Sequence, residues 1–180
     1  ASSTQGHKNK FMLSPTHEQA AVCCIPNSIR FYPYYVSNMW MLLKGQNGIA
    51  AVTYGPSIVK TTFNGEEIEI EEKTFYPFED RVTFIVNSPE SMKYSIWLRI
   101  PEWSVNIDVQ CKGANIKEEN NWIKLTKSWK KGDIIELDFQ ADIVKNKSIK
   151  NEIYFSRGTL VYSKKFDPIF KKTKKYAVPV

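Results

Sequence analysis

The residues best suited to chemistry lie in one stretch, Ser14-Pro15-Thr16-His17-Glu18-Gln19-Ala20-Ala21-Val22-Cys23-Cys24-Ile25-Pro26-Asn27. Two adjacent thiolates can share one zinc ion where the chain bends, because zinc favours soft sulfur ligands and keeps them deprotonated at neutral pH. A thiolate lowered by a metal can also attack as a nucleophile if its metal bond loosens during reaction. The doublet alone does not choose between such a site and a pair of small, buried, inert cysteines. His17 and Glu18 can serve as further ligands or substrate contacts, and capping or surface roles are equally open to them. Other signatures are missing: there is no Walker loop, no dinucleotide-binding glycine fingerprint, no HExxH motif and no Gly-x-Ser-x-Gly elbow. A Ser-His-Asp triad would have to use His7 or His17, the only histidines.

The 180 residues give room for one ordinary domain, or one domain with fragments of its neighbours. A hydrophobic content of 42% is enough for a real core, and no apolar run is long enough to cross a bilayer. The net charge of +6 invites a nucleic-acid reading, but its distribution argues against one. Lys164, Lys165, Lys171, Lys172, Lys174 and Lys175 crowd one end, whereas Glu66, Glu67, Glu69, Glu71 and Glu72 form an acidic block. A solvated lysine-rich surface is the simpler reading, with no nucleic-acid partner expected. Three cysteines cannot all pair internally, and neighbours such as Cys23 and Cys24 would make a strained bridge. Cys111 reads as a small apolar residue in a strand. The compartment therefore stays open: Ala1 to Lys10 lack an apolar signal-peptide core, and a fragment would have lost its own N-terminus.

Two kinds of element must position these residues. Ile29, Tyr32, Val36, Met39 or Trp40, and Leu43 recur at helical spacing. They predict one helix capped by Asn27 or Ser28, disturbed at Pro33 and ended by Gly45. The turn Ile25-Pro26-Asn27 would separate it from a short apolar stretch, Ala20 to Cys24. After Gly45 the period switches to two. Strands are expected at Ile49–Tyr54, Ser57–Phe63, around Ile68 and Ile70, Arg81–Val86, Tyr94–Ile100, Val105–Val109, Trp122–Leu125, Ile135–Phe139, Glu152–Phe155 and Leu160–Ser163. Short alternating strands joined by turns such as Asn64-Gly65, Lys112-Gly113 and Lys131-Gly132-Asp133 indicate a mainly β protein, an antiparallel β-sandwich preceded by a helical segment. A helix with an apolar stripe and no partner helices in the chain suggests truncation upstream. Trp97, Trp103, Trp122 and Trp129 can stack on sugar rings or fill the sandwich, and Arg99 can pair with Glu102.

The order of blocks carries a resemblance. Cys23-Cys24-Ile-Pro-Asn-Ser-Ile-Arg30, Met39-Trp40, Gly48-Ile-Ala, Tyr54-Gly-Pro-Ser57, Thr74-Phe-Tyr-Pro-Phe-Glu-Asp80, Leu98-Arg-Ile-Pro-Glu-Trp103, Trp129-Lys-Lys-Gly-Asp133 and Ser156-Arg-Gly-Thr-Leu-Val-Tyr162 follow the sequence of glycoside hydrolase family 127. The chain resembles the C-terminal part of these bacterial β-L-arabinofuranosidases and related hydrolases of plant glycans. The resemblance implies a helical remnant of an (α/α)6-barrel catalytic domain over residues 1–44, a β-sandwich over 45–145 and the start of a further β segment over 146–180. It also implies that Cys23 is a zinc-bound nucleophile and Cys24 a second zinc ligand, in a retaining double displacement through a thioglycosyl intermediate. His17, Glu18 and Asn27 are candidate substrate contacts. The family's remaining zinc ligands and its acid/base glutamate lie upstream and are not matched here, and Cys111 is a poor substitute. An arabinose-containing glycan and the parent's own upstream barrel are the implied partners, and the chain by itself is expected to be inactive.

Overall fold

The computed structural model describes residues 24–45, 47–63, 65–88 and 91–165, with the side chains of 24–26 excepted. In chain order the elements are α1 (Cys24–Ser37), β1 (Trp40–Leu43), β2 (Gly48–Ala51), β3 (Ser57–Phe63), β4 (Glu66–Thr74), β5 (Arg81–Val86), β6 (Met92–Arg99), β7 (Asn106–Gln110), β8 (Asn115–Glu119), β9 (Trp122–Trp129), β10 (Asp133–Gln140), β11 (Ile143–Lys147), β12 (Ile153–Arg157) and β13 (Leu160–Tyr162). The chain divides into two compact units. Ser37–Lys164 form one, and Ala1–Val36 with Lys165–Val180 form the other.

Of the second unit, α1 is the part described. Pro26 falls inside this helix near its start, where a missing N–H is best tolerated, so the expected turn at Ile25-Pro26-Asn27 is helix instead. Asn27 is correspondingly a helical residue and not the cap. Pro33 also lies within the helix. Ile29, Phe31, Tyr32, Tyr34 and Val36 are each more than 60% exposed. The helix ends at Ser37, well before Gly45, which corrects the helical reading of Met39 to Leu43. Trp40–Leu43 instead pair antiparallel with Gly48–Ala51, and Met39 is buried with its carbonyl accepting the Val52 N–H at 2.8 Å. Ladder pairing and burial outweigh a short helical period there. Gly45 still provides a left-handed conformation (φ 76°), but in the β1–β2 turn.

The sandwich consists of two five-stranded sheets, ordered β1-β2-β6-β9-β8 and β3-β4-β5-β10-β7. All neighbours are antiparallel except β2 and β6, which run parallel. Period-two alternation decides what faces in. Val82, Phe84 and Val86 of β5, Tyr94, Ile96 and Leu98 of β6, and Ile135, Leu137 and Phe139 of β10 are all buried in one core. Each such side chain contributes about 1.5–3 kcal/mol of burial. β1, β8 and β11 were not expected from the sequence. β8 has no buried residue at all, and its Lys117, Glu118 and Glu119 suit an exposed edge.

A third sheet, β11-β12-β13, completes this unit. Arg157 of β12 reaches Asp80 with both ends of its guanidinium, Nη1 donating to Oδ1 at 3.0 Å and Nη2 to Oδ2. Gly158 lies against the Trp103 ring, which a Cβ there would meet at 3.6 Å. Among the described residues no helix is long and apolar enough to cross a membrane.

Candidate functional site

The cysteine doublet can be followed only in part. Cys24 has helical backbone as the first described residue, while His17, Glu18 and Cys23 lie outside the described residues. Asn27 is an exposed residue in the early part of α1. Among the described residues no three His, Cys, Asp or Glu side chains gather in a way that could hold a metal ion. Cys111 is a half-buried free thiol whose pKa is pushed up by burial, as a packing residue's would be.

Trp103 and Trp129 are built into the framework. Trp129 is fully buried and donates its indole N–H to the Tyr94 carbonyl at 2.9 Å. Trp103 stacks on Tyr76, with centroids 6.3 Å apart and planes 18° apart, and meets Phe139 edge-on. The Trp97 indole nitrogen lies 3.3 Å from where a Cβ on Gly48 would be, and the Lys124 ammonium sits 4.8 Å above the ring. Trp122 borders a cavity of about 220 Å³ with Leu43, Ala50 and Trp97. Arg99 donates from Nε to the Val52 carbonyl at 2.6 Å, and among the described residues no ion pair joins it to Glu102.

A feature absent from the sequence reading is the cluster around Glu72. Its carboxyl is only 2% exposed, beneath the Tyr54-Gly-Pro-Ser57 corner. Oε1 accepts the Gly55 N–H and Oε2 accepts the Ser57 hydroxyl, each at 3.0 Å. Ser57 Oγ in turn accepts the Trp40 indole N–H at 3.0 Å. Burial pushes the Glu72 carboxyl up to about 7, against the opposing pull of its two hydrogen bonds. Tyr54 is likewise raised, by burial first and then by the charge of Glu72, and donates its hydroxyl to the Arg99 carbonyl at 2.6 Å. The signal for this cluster was parity: Ile68, Ile70 and Glu72 share one face of β4, so the last member of the acidic block had to point inward.

The sequence profile described as β-L-arabinofuranosidase, GH127 middle domain, matches residues 48–141, more than half of the chain. The chain belongs to this family. No curated protein sequence matches it. Among solved structures it is similar to Ara127N-Se, a GH127 β-L-arabinofuranosidase from Geobacillus stearothermophilus T6, with 20% identity and a TM-score of 0.67 over 78% of this chain and 24% of that one. A structure described as a glycoside hydrolase gives 24% identity and a TM-score of 0.70 over 89% of this chain and 28% of that one. A GH127 β-arabinofuranosidase gives 19% and 0.64 over 78% of this chain and 26% of that one. This chain spans about a quarter of the length of these structures, which share its fold.

Within the matched region, the family-like blocks hold one another. Tyr54 bonds to Arg99, Tyr76 stacks on Trp103, and the buried Trp129 opens the block that ends at Asp133. Asp133 accepts the Lys127 ammonium at 2.7 Å and the Lys130 N–H at 3.0 Å. Just past the matched residues, Arg157 joins a later block back to Asp80. The blocks that identify the family are here the contacts that build the sandwich.

Proposed function

We propose that this chain is the C-terminal part of a retaining glycoside hydrolase acting on β-L-arabinofuranosyl glycans. In this reading Cys23 is the nucleophile, and Cys23 and Cys24 are zinc donors. The observation that carries the reading is a GH127 middle domain at 48–141 preceded in the same chain by the Cys23-Cys24-Ile-Pro-Asn stretch. Two of the similar structures are themselves described as arabinofuranosidases. Bound zinc would keep both sulfurs anionic at neutral pH. The acid/base carboxyl and the remaining ligands would come from sequence upstream, in the helical catalytic part to which residues before the sandwich belong. The Ser37–Lys164 unit then acts as a brace for that part, a reading favoured over glycan binding because Trp103 and Trp129 are engaged in packing.

The test is made on the longest natural protein that carries this chain, by hydrolysis of an aryl β-L-arabinofuranoside together with zinc analysis. Cys23→Ser should lower kcat/KM by about a thousandfold or more, and Cys24→Ser should lower bound zinc. Cys111→Ser should leave both unchanged. Turnover that survives Cys23→Ser, or no turnover in the wild type, would overturn the proposal.

A further inference from the structure

Glu72 is the one buried carboxyl among the described residues, and no lysine or arginine is paired with it there. A charge placed so is normally neutralised by a partner or by a proton. We propose that Glu72 is a proton-operated latch, which when protonated lets the Gly55–Ser57 corner and the edge strand β1 stay fastened onto the second sheet, and when ionised loosens them. The inference rests on the hydrogen-bond geometry of the sandwich and is independent of the hydrolase reading.

The bonding inventory explains the two states. Ionised, the carboxylate offers acceptors only and is met by two donors, Gly55 N–H at Oε1 and Ser57 O–H at Oε2, with Trp40 Nε1–H bonded to Ser57 Oγ. A proton taken from solvent onto Oε2 removes the charge, and the new O–H and the Ser57 hydroxyl still share one hydrogen bond while Oε1 keeps the Gly55 N–H. The protonated cluster therefore escapes the cost of burying a charge, whereas the ionised one bears that cost without a cation and opens more readily toward water. Because burial sets the carboxyl to titrate at about 7, the two states exchange near neutrality.

The neighbouring groups leave Glu72 as the titrating member. On its own strand, Glu71 and Lys73 take the opposite parity and pair with each other at 3.4 Å. Across the ladders it faces Ser57 of β3 and the apolar Phe84 of β5. From the corner comes the Tyr54 hydroxyl, committed to the Arg99 carbonyl and raised far from neutrality, with Arg99 and Tyr76 acting on Tyr54. β1 contributes the uncharged Trp40. β1 is also the strand by which the chain enters the sandwich after α1.

The experiment is an NMR titration of the 180-residue chain from about pH 4 to about pH 9, following the Glu72 carboxyl carbon, the Gly55 amide and the Trp40 indole N–H. The expected result is one shared midpoint near 7, with β1 amides exchanging about three- to tenfold faster relative to those of β6 on the alkaline side once intrinsic rates are divided out. Glu72→Gln should remove the shared transition, and Ser57→Ala should uncouple Trp40 while Gly55 still titrates. A Glu72 midpoint at its ordinary 4.5, or Gly55 and Trp40 resonances that ignore the Glu72 titration, would overturn the latch. The wild-type titration decides the matter even if a variant fails to fold.

Discussion

The sandwich and the helix α1 treat their apolar side chains in opposite ways. In the sandwich Ile96, Leu98, Leu125, Ile135 and Leu137 are fully buried between sheets that supply both sides of the core. In α1 Ile29, Phe31, Tyr32, Tyr34 and Val36 remain more than 60% exposed. A sheet pair can close a core from within one chain segment, whereas a single helix cannot cover its own apolar surface. The lesson is a division of labour. The part that closes on itself carries the family match, and the part that does not carries the cysteine doublet.

Substitutions at three positions sharpen this contrast, beginning with the largest effect. Trp129→Ala removes a fully buried ring and its bond to the Tyr94 carbonyl, and should lower unfolding free energy by about 3–5 kcal/mol in denaturant titration. Trp129→Phe should recover most of that loss. Asp80→Asn breaks the paired hydrogen bonds from Arg157 and should cost about 1 kcal/mol. Hydrogen exchange should place that change in Ile153–Arg157 and Leu160–Tyr162, with β6 and β9 little altered. Phe31→Ser, on the helix, should move the unfolding midpoint of the chain by less than about 0.5 kcal/mol. A large destabilisation by Phe31→Ser, or a small one by Trp129→Ala, would break the comparison.

The pH dependence of the sandwich carries the same contrast in electrostatic form. The Glu72 carboxyl is raised from 4.5 to about 7 by burial, so the folded state holds a proton that the unfolded chain releases. Its contribution is therefore fully present below pH 4.5 and is lost as pH rises through 7. The loss should be on the order of 3 kcal/mol by pH 8 and should vanish in Glu72→Gln. Thermal unfolding at a series of pH values would show it as a slope confined to that window.

Much of the sandwich was legible because burial on one face writes a period of two into the sequence. Ser57–Phe63 and Arg81–Val86 could be read to the residue, and Tyr94, Ile96 and Leu98 were assigned to the correct face. Asn115–Glu119 and Ile143–Lys147 were not legible, since strands that bury little write no alternation. Trp40–Leu43 misled because its spacing continues that of α1, and only the pairing with Gly48–Ala51 reveals a strand. Glu72 was missed because a run of glutamates reads as surface, although its parity with Ile68 and Ile70 said otherwise. At the doublet the identity of the residues suggests chemistry, but the geometry that would perform it needs ligands from elsewhere.

The central claim is that the sandwich is a framework complete in itself, joined to a cysteine-bearing segment that is not. The direct measurement is thermal unfolding of residues 37–164 alone beside the 180-residue chain. The account predicts a cooperative transition for the shorter chain within about 3 °C of the longer one. A shorter chain that lacks a cooperative transition, or melts more than about 10 °C lower, would mean that the helical segment is part of the core and would contradict the account.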